Sequence, residues 1–275
     1  MLWLNKIKSI FVFSTLAILP IFLSCNILDS NRTGQELSPI EGNIIFFVHE
    51  SYQDYNSVGK PRIILGLITE KIYPCFNYEI IQRVKLIGNR ISVNLAGIYI
   101  SDFCLTALGP ASSSSFLDIP AGEYSLNFSY KNVTDRYSLT VTDSSIKLTK
   151  LTAQFTKPKF ELYWRYPANS LAYLCGTTTA TSWIYEDFLD TLLSKIHLKE
   201  FQFPDSGVMP YPRSSQGHYY DAPAKYFYYE TEEDFDNAGE ILKTYSHNVI
   251  NQYEGIGISL IGWNNKKFYS WLFQN

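Results

Sequence analysis

From Gly122 to Tyr130 the chain reads Gly-Glu-Tyr-Ser-Leu-Asn-Phe-Ser-Tyr, in which every second residue from Tyr124 on is apolar. A period of two is met by an extended strand with one face in a core and the other in water. Tyr124, Leu126, Phe128 and Tyr130 share the inner face. Residues 137–141 repeat the pattern through Tyr137, Leu139 and Val141, and Ile146 and Leu148 continue it. Upstream, the apolar runs 44–48 and 62–68 and the segments 79–87 and 90–100 add four more strands. Gly88-Asn89 joins the last two as a hairpin turn, because both residues tolerate positive φ. Seven or eight short strands with turn signals and no helical period predict an all-β sandwich domain over residues 43–152.

Within it, Leu117-Asp118-Ile119-Pro120-Ala121-Gly122-Glu123-Tyr124-Ser125-Leu126 resembles a motif of bacterial Greek-key sandwich modules, the prealbumin-like and collagen-adhesin B-type repeats. In those modules a Pro-x-Gly turn feeds a Tyr-x-Leu strand. The resemblance covers residues 117–150. It implies a Greek-key sandwich and a spacer or adhesive-stalk role, and carries no activity with it.

Past residue 156 the period changes. Phe160, Leu162 and Trp164 alternate as a strand. Ile184, Phe188, Leu189, Leu192, Leu193 and Ile196 form one apolar stripe of a helix over 182–197, with Ser182 as its cap. Phe201 and Phe203 mark a short strand, residues 204–223 a long loop, and 225–230 another strand. Thr231 and Asp234 open a second helix in a near capping-box arrangement, with Phe235, Ala238, Leu242, Tyr245 and Val249 as its buried stripe. Residues 256–262 and 268–273 read as a terminal hairpin. The order β-α-β-β-α-β-β resembles the split βαβ, ferredoxin-like arrangement with an extra strand, so residues 156–275 are expected to form an α+β domain.

The N-terminus reads as an address. Lys6 and Lys8 precede an almost wholly apolar stretch over 9–23, too short for a lasting bilayer span but suited to a secretory signal peptide. Phe22-Leu23-Ser24-Cys25 resembles the bacterial lipobox, although Phe22 and Leu23 stand where that family usually has Leu and a small residue. The resemblance implies a lipoprotein signal peptide over 1–24 and acylation of Cys25, with membrane lipid as the partner. The alternatives are ordinary signal cleavage, or an uncleaved anchor. Asn26, where an Asp would favour the inner membrane, points to the outer membrane. Residues 25–42 are polar and rich in Ser, Asn and Gly, a tether.

Without Cys25 three cysteines remain, and Cys75 with Cys104 is the best disulfide pair because both fall in one domain. Cys175, ahead of Gly176-Thr177-Thr178-Thr179 and a helix, is a candidate nucleophile if a histidine such as His197, His218 or His247 lies near; the other reading is a buried thiol. His218 and Asp221 are three residues apart in the long loop, beside Tyr219 and Tyr220, but no metal-ligand set or cofactor motif accompanies them. Residues 201–230 hold nine aromatics, including Tyr211, Tyr219 and Tyr220. These tyrosines with His218 and Asp221 make up the candidate ligand surface, since Tyr offers a large contact area at small entropic cost.

Composition sets outer limits. At 46% hydrophobic and 18% charged residues the chain can bury cores. A net charge of −3 argues against nucleic acid as a partner. The reading that follows is a non-enzymatic cell-envelope lipoprotein whose aromatic-rich C-terminal head binds an envelope protein or glycan. The alternative is an envelope hydrolase or transferase using Cys175 or His218.

Overall fold

The structure, a computed structural model, describes residues 37–273 except Tyr55, Asp102 and Thr106. Residues 36–275 group as one compact unit. The fold is mostly β, with large curled sheets and a small helical part.

The first sheet has ten strands: β1 Ile44–Ser51, β2 Arg62–Tyr73, β3 Glu79–Ile87, β4 Arg90–Tyr99, β5 Gly109–Leu117, β6 Gly122–Tyr130, β7 Val133–Val141, β8 Ser145–Thr152, β9 Thr156–Pro158 and β10 Leu162–Trp164. Their order is β10-β8-β7-β6-β4-β3-β5-β2-β1-β9. Pairing is antiparallel except at β4–β6, β3–β5 and β1–β9, which are parallel. Hydrogen bonding is therefore continuous through one sheet, where the sequence suggested two facing ones.

The sheet closes over itself. Phe46 of β1 lies 4.6 Å from Phe128 of β6 and 4.8 Å from Tyr137 of β7, although four strands separate β1 from β6 in the sheet. Asp135, fully buried, completes the closure. Its carboxylate accepts the backbone N–H groups of Gln154, Phe155 and Thr156 at 2.8, 3.0 and 2.7 Å, and the Thr156 hydroxyl at 2.6 Å. The Tyr137 hydroxyl donates to the Thr156 carbonyl. These bonds carry the chain from β7 to β9, beside β1.

Two features depart from the sequence reading. Strand β5 was not foreseen, because Ser112 to Ser115 give it no apolar period; its buried positions include Gly109 and Ala111. The strand expected at 160–164 to begin the C-terminal domain instead pairs with β8 as β10. A boundary at 152–156 thus falls inside this sheet.

The second sheet comprises β11 Ser170–Thr177, β12 Lys199–Phe201, β13 Tyr220–Asp221, β14 Lys225–Tyr228, β15 Gly257–Gly262 and β16 Lys267–Tyr269. Its order is β12-β14-β11-β15-β16, all antiparallel, with β13 also on β11. Helices α1 (Ile184–Leu193) and α2 (Glu232–Asn248) cover one face. Helix α1 is shorter than the 182–197 expected, with Thr179–Thr181 ahead of it as a 3-10 turn. Helix α2 starts at Thr231, whose amide donates to the Asp234 carboxylate at 2.8 Å while its hydroxyl accepts from the Asp234 amide. The other face is packed by Phe201, Phe203, Tyr211 and Tyr226. Strand β11 is buried along its whole length, since both faces are covered.

Candidate functional site

Strand β1 turns Phe46, Val48 and Glu50 into the first core and Phe47, His49 and Ser51 outward. The outward row is covered by another part of the chain, residues 159–166 and 208–210. Together they enclose a cleft of about 440 Å³, with Tyr52, Phe160, Tyr163, Trp164, Tyr166 and Met209 in its walls.

The cleft is held by polar anchors beneath it. Glu50 is buried and accepts Arg165 Nε and the Tyr166 amide, each at 2.8 Å; Arg165 also donates to the Thr142 carbonyl. This pair fixes residues 165–166 against β1. The Tyr52 hydroxyl donates to the Trp263 carbonyl at 2.7 Å, tying the cleft to the β15–β16 turn. The Tyr166 hydroxyl donates to the Pro210 carbonyl at 2.9 Å, and the Trp164 indole to the Ser206 carbonyl at 2.7 Å. Burial pushes the Tyr166 and Tyr163 hydroxyls up to about 12, so both remain protonated.

His49 stacks on Tyr163 at 5.8 Å and lies 5.3 Å from Phe47. Its Nδ1 donates to the Glu50 carbonyl at 2.7 Å, which leaves Nε2 as an acceptor. Burial lowers its pKa, so the ring is neutral at neutral pH. With Glu50 committed to Arg165, the remaining charged group on the wall is Lys159. The chemistry offered is ring faces, one neutral imidazole and one cation. That suits a ligand with an apolar or ring-shaped body.

The residues chosen from sequence lie elsewhere and are only partly together. Tyr211 is buried, and its hydroxyl is engaged with Ser170, donating to the Ser170 carbonyl at 3.0 Å. It packs with Ala172 and Tyr226 against the sheet. Tyr226, Phe227 and Tyr229 are likewise buried. Tyr219 is 94% exposed and Tyr220 is exposed, so these two do present ring faces.

His218 Nδ1 lies 3.5 Å from both Asp221 Oδ1 and Ser215 Oγ. Its ring sits over Gly176 and Gly257, which are directly paired across β11 and β15. A Cβ at Gly176 would lie 2.2 Å from Nδ1, and one at Gly257 2.8 Å from Nε2. The two glycines make a notch that the imidazole fills. The carboxylate and the hydroxyl face the same nitrogen, Nδ1, and both nitrogens lie against the two glycines of the sheet. This differs from a base relay, which needs a carboxylate on one nitrogen and a nucleophile on the other.

Cys175 is fully buried on the helix face of β11, opposite the notch. Burial pushes its thiol up to about 11, which keeps it protonated. Residues 175–177 are the end of this strand, and Thr178 caps the 3-10 turn Thr179–Thr181 that follows. Cys75 and Cys104 are joined by a disulfide with Cα atoms 5.3 Å apart. Among the described residues no group of three or more His, Cys, Asp or Glu is placed to hold a metal ion. Cys25 lies outside the described residues.

The sequence did carry a signal for the cleft. Residues 44–48 are five consecutive apolar residues, and such a run is what a strand covered on both faces shows. What covers the outer face is a long-range packing event, which no local pattern specifies. No protein-family model, curated protein or solved structure matches this chain.

Proposed function

We propose that the protein is a non-enzymatic cell-envelope lipoprotein, tethered to the outer membrane through acylated Cys25, that binds an envelope partner in the cleft between β1 and residues 159–166. The observation that carries this reading is the cleft itself: six aromatic rings and a cation set on polar anchors that keep its walls in place. Rings of Phe160 and Trp164 can stack on a sugar face, so an envelope glycan is the first partner and a protein segment the second. The burial of Cys175 and the placement of His218 weigh against the hydrolase or transferase alternative.

The fold reading goes with it. The order β12-β14-β11-β15 with both helices on one face supports a split βαβ, ferredoxin-like arrangement, with β16 added at the edge. The non-sequential neighbours β4–β6 and β5–β2 support a Greek-key relation within the first sheet.

A glycan array probed with the full protein tests the site. Phe160 is half exposed, so Phe160→Ala leaves the fold intact. It should weaken any hit about tenfold, the equivalent of about 1.4 kcal/mol. Binding lost instead on replacing Tyr219 and Tyr220 by Ala would move the site to the 204–223 loop.

A further inference from the structure

At one end of the first sheet Tyr73 of β2, Glu79 of β3, Tyr99 of β4 and Gly109 of β5 converge. The two loops there, 74–78 and 100–108, are fastened to each other. The Cys75–Cys104 disulfide joins them, the Asn77 side-chain amide donates to the Phe103 carbonyl at 2.6 Å, and the Leu105 amide donates to Asn77 Oδ1 at 3.3 Å. From this fastened end Ile72, Phe76, Ile100, Phe103, Leu105 and Leu108 all project into solvent, Phe103 at 70% and Leu108 at 78% exposure. Single exposed apolar residues are ordinary, but six gathered at one end of a molecule mark a contact surface.

The path of the chain indicates what covers it. Ser38 and Ile98 exchange both backbone hydrogen bonds, at 2.9 and 2.8 Å, so the segment arriving from the N-terminus docks beside this same end. Gly97, at φ +155°, permits the approach, since a Cβ there would stand 2.8 Å from the Ser38 carbonyl oxygen. Twelve positions separate Cys25 from Leu37. Fully extended they reach at most about 40 Å. An anchor at Cys25 therefore holds this end within about 40 Å of the lipid surface. Among the described charges beside it, Lys71 pairs with Glu41 and Glu70 with Lys157. Pairing lowers the cost of bringing the end toward a low-dielectric surface.

We propose that the disulfide-fastened end, with Phe103 and Leu108 at its tip, is a membrane-docking surface that sinks its apolar side chains into the interfacial layer of the bilayer. This inference rests on the lipid-anchor reading above. Docking of this depth needs no spanning helix, only apolar side chains held at the acyl boundary.

The test uses the full mature protein on neutral phosphatidylcholine vesicles, carrying a nitroxide at Leu108→Cys or, as the control, at Ile87→Cys. Both positions are exposed, so neither label disturbs the core, and buried Cys175 escapes labelling. Ile87 is the last residue of β3, beside the turn at the opposite end of β3 and β4. On vesicles, oxygen should reach the Leu108 label severalfold more readily, relative to a water-soluble nickel chelate, than it reaches the Ile87 label. Equal ratios on vesicle-bound protein overturn docking and leave the tether standing. The Leu108 ratio rising while mass spectrometry finds Cys25 without lipid keeps docking and removes the tether. Protein that fails to float with the vesicles overturns docking. A Leu108 label already shielded without vesicles assigns the surface to a second copy, and overturns it also.

Discussion

The strands of the first sheet mostly keep one face in water, whereas β11 of the second keeps neither. In β6 and β7 the inward residues Tyr124, Leu126, Phe128, Tyr137, Leu139 and Val141 are buried while their neighbours are not. In β11 all eight residues from Ser170 to Thr177 are buried, between two helices on one side and the 201–226 aromatics on the other. The difference teaches where polar groups become structural. The first core is closed by a buried carboxylate, Asp135, that gathers the loose amides of residues 154–156. The second is fitted together by shape, down to two glycines that leave room for one imidazole.

The first way to sharpen this contrast is Asp135→Ala. It strands the buried Thr156 amide and hydroxyl, takes the acceptor from the part-buried Gln154 and Phe155 amides, and should cost about 3–5 kcal/mol, read by urea unfolding. A loss under 1 kcal/mol would mean that the closure at β7–β9 does not depend on the carboxylate. Gly176→Ala comes next. The added methyl meets His218 in the notch, and overpacking of this kind costs about 1–3 kcal/mol. The same substitution in a His218→Ala background should cost less than half as much, because the clashing ring is gone.

A smaller effect comes from His49. Its folded pKa lies below the ordinary value of 6.5, so the unfolded chain binds the proton more readily. The stability this neutral ring contributes is complete above pH 6.5 and is lost as pH falls through the folded pKa. Unfolding curves taken from pH 7.5 downward should show that decline, and His49→Gln should flatten it. Smallest of all is Tyr219→Ala, which at 94% exposure should shift stability by less than about 0.5 kcal/mol in calorimetry.

What could be read from the sequence follows from the same contrast. Strands with one wet face announce themselves by alternation, and so did β3, β4, β6 and β7. The helix stripes of Phe188 and Leu192, and of Phe235 and Leu242, were legible for the same reason. Strand β11 was not, since burial on both faces removes the alternation and Ser-Leu-Ala-Tyr-Leu-Cys-Gly-Thr has no period to follow. Strand β5 was hidden by its serines. Of the candidate ligand surface, Tyr219 and Tyr220 are exposed and Tyr211 is buried, because exposure of an aromatic in a loop depends on what the loop packs against. Which segment covers the outer face of β1 was out of reach for that reason too: Phe47 and Trp164 are 117 positions apart.

Mass spectrometry of the mature N-terminus tests the proposed lipid tether most directly. The expected chain begins at Cys25, is heavier by its acyl groups and lacks residues 1–24. A chain that retains Met1, or one cut elsewhere with Cys25 unmodified, would contradict it.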